Sequence, residues 1–240
     1  MKKSFLPIVC VLILSLSSCF NKGEKIEYYT SVPAIVAIDY ETFQPIIKTQ
    51  FGTCFAPSLQ NALLTDLWEG SAILTSFNIN YDQQPSAKYY TVSEMVWNKV
   101  DVGYPSATVG GESQTGDFNA FIENLIIYSV VENVVFFVFQ HTANNDKVVT
   151  YEATYNSDGA VQIPVLYLRA KKSSSGSSGT GNYEILYAFN MRNFFYEYKN
   201  SDNIVKFKIM YKIGEDSEGK DQYREYVDQY YNSVIQVKME

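Results

Sequence analysis

The sequence predicts an all-β protein built as a small barrel followed by a two-sheet sandwich. Three observations support this. Of the 240 residues, 46% are hydrophobic and 15% aromatic, ample for packed cores in one large or two small domains. Tyr, Phe, Val, Ile and Thr gather into short runs broken by turn residues, with roughly the 8–12-residue spacing of all-β folds. Inside many runs polar and apolar residues alternate, the period-two pattern of half-buried strands.

Five strands are expected in the first half. Tyr28–Tyr40 is long, and Val32, Ala34, Val36 and Ile38 share one face. Pro45–Phe51 and Thr53–Phe55 read as a hairpin about Gly52. Residues 59–67 have a helical period, with Leu59, Leu63 and Leu67 four apart. Ser71–Tyr81 places Ile73, Phe77 and Ile79 among polar neighbours, and Tyr89–Lys99 is the fifth strand. Five strands with one helical turn between the third and fourth match the layout of an OB barrel. An OB-like barrel is therefore expected over 28–100. Residues 101–117 hold four Gly and one Pro among small polar residues and read as a linker.

The second half, 118–240, reads as an antiparallel β-sandwich of about seven strands. Glu123–Val130 and Asn133–Gln140 are apolar on both faces, as central strands are. Lys147–Tyr155 aligns Val149, Tyr151, Ala153 and Tyr155. Val161–Ala170 and Asn182–Asn190 flank a Ser/Gly stretch, 171–181, expected to be a mobile loop. Ile204–Ile213 puts Val205, Phe207, Ile209 and Tyr211 inward and Lys206, Lys208 and Lys212 outward, where lysines blunt an exposed edge. Ser233–Lys238 is the last strand. No internal repeat is evident.

The N-terminus has a different character. Lys2 and Lys3 precede an apolar run from Phe5 to Leu16, which ends in Leu16-Ser17-Ser18-Cys19. A basic start, about a dozen apolar residues and a small-residue end make a secretory signal. The run is too short for a membrane-spanning helix, which needs roughly 20 residues. The tetrad resembles the bacterial lipobox, which implies cleavage before Cys19 and lipid on its thiol. Residues 1–18 are then the leader and 19–27 a lipidated tether. Several acyl chains, at about 0.8 kcal/mol per buried methylene, would make a stable membrane anchor. No Asp follows Cys19 and no acidic run follows it, so the expected location is the periplasmic face of an outer membrane, with the cell surface as the alternative.

Charge and cysteine count narrow the partners. The formal net charge is −7, and loss of Lys2 and Lys3 with the leader makes it more negative. Phosphate backbones and anionic lipid surfaces would repel such a chain, so no nucleic-acid partner is expected and the lipid on Cys19 is the expected membrane contact. With Cys19 committed to lipid, Cys54 has no partner for a disulfide.

The order of pieces (lipobox, OB-like module, linker, sandwich) resembles the NigD-like lipoproteins. Leu67-Trp68-Glu69-Gly70-Ser71-Ala72-Ile73-Leu74-Thr75-Ser76-Phe77-Asn78-Ile79 looks like that family's step into the fourth barrel strand, although Glu69-Gly70-Ser71 departs from the Gly-Asp-Arg form. Tyr89–Lys99 looks like its closing barrel strand. Phe136–His141 and Leu166–Lys171 look like its sandwich strands. The resemblance implies a bacteriocin-immunity or envelope-interaction role and carries no catalytic residues.

No catalytic or metal-binding constellation emerges from the residues. His141 is the only histidine and reads as structural or surface-exposed. Cys54 reads as a buried, inert thiol. Residues 214–221, rich in acid, lack the spaced ligands of a calcium loop and read as a hairpin tip. Tyr223, Tyr226, Tyr230 and Tyr231, and Phe194, Phe195, Tyr196 and Tyr198, are read as core or rim packing, with a sugar or protein contact surface as the alternative. Trp68 and Trp97 are read as core. No cofactor and no metal are expected. The leading expectation is a non-catalytic binding lipoprotein whose partner is an envelope protein, a bacteriocin or a glycan. The alternatives are a carbohydrate-binding accessory lipoprotein and a glycan hydrolase driven by two carboxylates.

Overall fold

The first half closes around one long strand, β1 (Ile26–Asp39). Its later residues pair with β2 (Gln44–Thr49), its earlier ones with β4 (Ala72–Asn80), both antiparallel. A bulge between Tyr29 and Val32, with Ser31 at φ 53°, bends the strand enough to serve both neighbours. β3 (Gly52–Phe55) follows β2 through Gly52, whose φ of 126° suits only glycine. β5 (Tyr90–Val100) runs parallel to β3 and completes a closed barrel in the order β1-β2-β3-β5-β4. The structure, a computed structural model, describes residues 25–83, 88–110, 118, 120–142, 148–156, 163–172, 182–230 and 232–239. Cys19 and the leader lie outside the described residues, as do 111–117, Tyr231 and 173–181 of the Ser/Gly stretch.

Val32, Ala34 and Val36 point into the barrel, as the alternation requires, and meet Ile47, Ile73, Phe77 and Val92. The helical expectation for 59–67 is corrected to two 3-10 turns, Pro57–Leu59 and Ala62–Leu64. The Ala62 carbonyl accepts from the N–H groups of Thr65, Asp66 and Leu67, which tightens the chain instead of propagating an α-helix. The leucine spacing still does its work, since Leu59 and Leu67 are both buried in the barrel core.

The second half is a sandwich of two mixed sheets. One holds β6 (Val102–Gly103), β12 (Tyr183–Asn190), β9 (Val134–His141) and β8 (Asn124–Val131) in that order. The other runs β14 (Asp221–Glu225), β13 (Ile204–Glu215), β11 (Val165–Lys172), β10 (Val148–Asn156) and β7 (Ser106–Thr108), with β15 (Ile235–Lys238) also on β13. The antiparallel expectation needs correcting: β7–β10, β11–β13 and β6–β12 are parallel. So does the linker: residues 101–110 hold β6 and β7, one strand for each sheet. Gly103 has a packing reason, because a Cβ there would sit 2.7 Å from the Phe189 ring.

β13 is an interior strand, not an edge. β11 lies on one side of it, and β14 and β15 share the other. Lys212, expected outward in solvent, is buried for the same reason, with its side chain 3% exposed. Its ammonium lies 2.5 Å from Asp221 and 2.7 Å from Glu215 and donates to the Phe118 carbonyl at 2.9 Å. Arg169 beside it is held by Glu152 and Asp221 under the Phe118 ring. Lysine at an alternating position reads as solvent-facing; here, carboxylates on β13 and β14 and the Phe118 carbonyl enclose it.

The sandwich core joins Phe137, Phe139 and Phe189 of one sheet to Leu166, Leu168, Phe207 and Ile209 of the other. A short helix, α1 (Arg192–Tyr198), plugs one end with Phe194 and Phe195 against Phe207, at ring separations of 5.4 and 6.0 Å. Truncating this contact removes aromatic burial and leaves a cavity that the surrounding sheets cannot close. Phe207→Ala is expected to destabilise the fold by about 3–5 kcal/mol, read as a lowered denaturant midpoint with unchanged slope.

Candidate functional site

A third apolar cluster joins the halves: Ile35, Ala72 and Val100 of the barrel against Val131, Val134, Phe136 and Ala188 of the sandwich. Two polar ties flank it. Lys48 pairs with Glu132, and the Ser129 hydroxyl donates to the Gln50 side-chain oxygen at 2.9 Å. Beside these contacts the surface falls into a cleft of about 720 Å³. That volume is within the range of small-ligand sites, roughly 300–1,000 Å³, and junctions between domains are a preferred place for them.

Three elements build the cleft by their own periodicities. Lys48 and Gln50, two apart around β2, turn away from the barrel core that holds Ile47. Gln236 and Lys238, two apart on β15, face outward while Val237 between them is buried. Arg192 and Tyr196, four apart on α1, share the helix face opposite Phe194 and Phe195. Helix α1 starts here because the Asn190 side chain accepts from the Arg192 N–H at 3.1 Å. The Phe195 N–H bonds back to the Met191 carbonyl at 2.8 Å. The helix is fixed to the β8–β9 turn by the Met191 N–H on the Asn133 carbonyl at 2.7 Å.

The cleft's electrostatics oppose those of the whole chain. Lys48, Arg192 and Lys238 line it, and Glu132 is the one carboxylate in its described lining. Glu132 is engaged by Lys48, whereas Arg192 and Lys238 make no ion pair among the described residues. Tyr196 is 60% exposed, with the Lys199 ammonium 4.3 Å from its ring centre.

The residues singled out from sequence lie elsewhere. His141 is fully buried at the end of β9. Its Nδ1–H donates to the Phe121 carbonyl at 2.8 Å, so Nε2 accepts from the Tyr151 hydroxyl, also at 2.8 Å. Burial lowers its pKa, and the Phe121 hydrogen bond opposes that only in part. Cys54 faces the barrel core, and burial pushes its thiol up to about 11, so it is protonated at neutral pH. In the 214–221 hairpin tip the Asp216 carboxylate accepts from the N–H groups of Glu218 and Lys220, both at 2.9 Å. Trp68, expected in the core, is 60% exposed, with the Lys99 ammonium 3.9 Å from its ring centre. Trp97 is half-buried against the barrel core. The aromatic groups divide: Phe194 and Phe195 are buried, Tyr198, Tyr223 and Tyr226 half-buried, and Tyr196 and Tyr230 exposed. Of these only Tyr196 lines the cleft. No sequence signal marked Arg192, Lys238 or Lys48 as partners, since they come from segments far apart in the chain.

The fold and cleft define an all-β, two-part protein with a polar site at its junction. Several solved structures share that architecture. An uncharacterised protein from Parabacteroides merdae aligns with a TM-score of 0.68 at 15% identity, over 87% of this chain and 98% of that one. A "Putative lipoprotein" from Bacteroides fragilis aligns with a TM-score of 0.53 at 15% identity, over 89% and 99%. The structural neighbours also include a NigD-like immunity protein from Bacteroides caccae, with a TM-score of 0.46 at 8% identity over 90% and 98%. No family model and no curated protein matches the chain. Among the described residues no helix is long and apolar enough to cross a membrane.

The His141 site makes a pH prediction. Its folded pKa lies below the ordinary 6.5, so the unfolded chain takes up the proton first as pH falls. The stability it contributes is complete above about pH 6.5 and is lost on acidification below that. Thermal unfolding followed from pH 7.5 to 5 should show a falling Tm in the wild type. His141→Gln, which keeps hydrogen-bonding capacity without the titration, should flatten that fall.

Proposed function

We propose that this chain is a non-catalytic, lipid-anchored protein of the cell envelope that binds a polar ligand in the cleft between barrel and sandwich. The observation that carries the binding role is the cleft itself, where unpaired cations, amides and an exposed ring converge at a fixed junction. Its described lining supplies one carboxylate, already engaged with Lys48. Glycan hydrolysis of the usual kind calls for two carboxyl groups, roughly 5–10 Å apart, so the lining favours holding a ligand over cleaving it. The anchor rests on the Leu16-Ser17-Ser18-Cys19 tetrad and agrees with the lipoprotein description of one structural neighbour. The periplasmic face of the outer membrane is the proposed location, with a NigD-like interaction role as the broader family reading.

Fractionation tests the anchor. The wild-type chain should pellet with membranes and extract into detergent, and Cys19→Ala should appear in the soluble envelope fraction. A Cys19→Ala chain that still pellets removes the lipid from the proposal. For the cleft, the soluble Cys19→Ala chain should retain a component of envelope extract that the same chain carrying Gln236→Trp, which fills the cleft from an exposed β15 position, does not.

A further inference from the structure

We infer that the ligand of the junction cleft is a short oligosaccharide carrying a carboxylate. The inference rests on the cleft being a binding site, as proposed above, and assigns the chemistry of what it holds.

The charge comes first. A chain of net charge −7 brings three cations and a single carboxylate to the lining of one cleft. Lys48 and Glu132 satisfy each other, which leaves Arg192 and Lys238 as the cations available to a ligand. They line the same cleft from two elements, α1 and β15, so a guanidinium fork and an ammonium are both offered to an anionic group bound there. Charge-assisted bonds of that kind are shorter and about twice as strong as neutral ones.

The uncharged lining is also polar. Gln50 accepts from Ser129 through its oxygen, which leaves its NH₂ as a donor pair without a partner among the described residues. Gln236 and the Thr53 region add further amide and hydroxyl groups. Sugar hydroxyls, each both donor and acceptor, suit such a lining. Tyr196 is 60% exposed, with Lys199 over one side of its ring, and supplies the kind of aromatic surface against which the C–H face of a pyranose packs. Of the apolar side chains at the cleft, Val131 and Val237 are buried, while Val130 and Met239 are half-buried at its wall. A protein partner would look for a broad apolar centre within a polar rim, whereas most of the side chains lining this cleft are polar or charged. A long polyanion is disfavoured too, since its approach is opposed by the net charge of −7 on the chain as a whole.

Titration calorimetry of the soluble Cys19→Ala chain provides the test. The probes are 3′-sialyllactose and an aldotriouronic acid, with lactose and xylotriose as neutral counterparts. At least one acidic probe should bind at least tenfold more tightly than its neutral counterpart, and raised salt should weaken it. Arg192→Gln with Lys238→Gln should abolish that preference while leaving the thermal unfolding curve unchanged. Tyr196→Ala should weaken acidic and neutral probes alike. Equal binding of acidic and neutral sugars overturns the carboxylate assignment. Failure of every sugar, or binding of an acidic peptide such as a Glu tetramer in their place, overturns the inference as a whole. If envelope extract still yields a component that Gln236→Trp blocks, the cleft remains a binding site and only its assigned ligand falls.

Discussion

The small apolar seam between barrel and sandwich is the constraint on which the cleft depends. Val100 ends the last barrel strand, and Val102 already belongs to a sandwich sheet. One residue separates them, and its carbonyl is taken by the Ala188 N–H at 2.9 Å. With no slack in the connection, Ile35, Ala72 and Val100 have one way to dock on Val131, Val134, Phe136 and Ala188. Both faces of β1 are therefore used, one for the barrel core and one for the seam. A cleft between halves joined by a free linker would change shape continually. Here its walls stand on two packed cores joined by the seam, and a pre-formed site avoids much of the ordering cost of binding.

How the sequence reads depends on the range of the forces that set each element. Strands governed by local alternation, such as Val32–Val36 or Val205–Tyr211, were legible with the correct inward faces. So was the five-strand plan of the barrel. The helix α1 was not, because Asn193-Phe194-Phe195-Tyr196 is rich in residues that favour strands. Its helicity comes from tertiary burial of Phe194 and Phe195 in the sandwich end. Two of the sandwich's three parallel pairings, β7–β10 and β6–β12, escaped for a related reason. β6 and β7 are two and three residues long, too short to show a period, and they exist because each sheet offers an open edge. Lys212 shows the same limit for charge, since the pattern could place it on a face but could not show that Asp221, Glu215 and Phe118 close over that face.

The cleft was invisible for the strongest version of this reason. Its cations lie at 48, 192 and 238, on a barrel strand, a helix and a terminal strand, and none sits in a motif. Each is ordinary by itself: a lysine on an outer strand face, an arginine at a helix start, a lysine near a chain end. Only the docking of the two halves makes them neighbours. The residues that a sequence reading singles out first, His141 and Cys54, are chemically versatile but spent on packing.

A negatively charged protein can still present a basic cleft, as Lys48, Arg192 and Lys238 do here, because electrostatics are short-ranged in salt. At physiological salt a charge is screened over about 8 Å, so a ligand seated in the cleft feels the residues lining it far more than the net charge of the chain. The net charge acts earlier, during approach. It slows acidic polymers and leaves short solutes almost unaffected, because repulsion grows with the charge that the approaching molecule carries. Salt then has two opposed effects: it relieves the repulsion on approach and weakens pairing inside the cleft. For a ligand with one carboxylate the second effect dominates. For a polyanion the first is large enough to compete. On the proposed reading, the net negative charge and the basic cleft act together as a filter, admitting a small anionic sugar while turning away the long anionic polymers that a uniformly basic protein would collect.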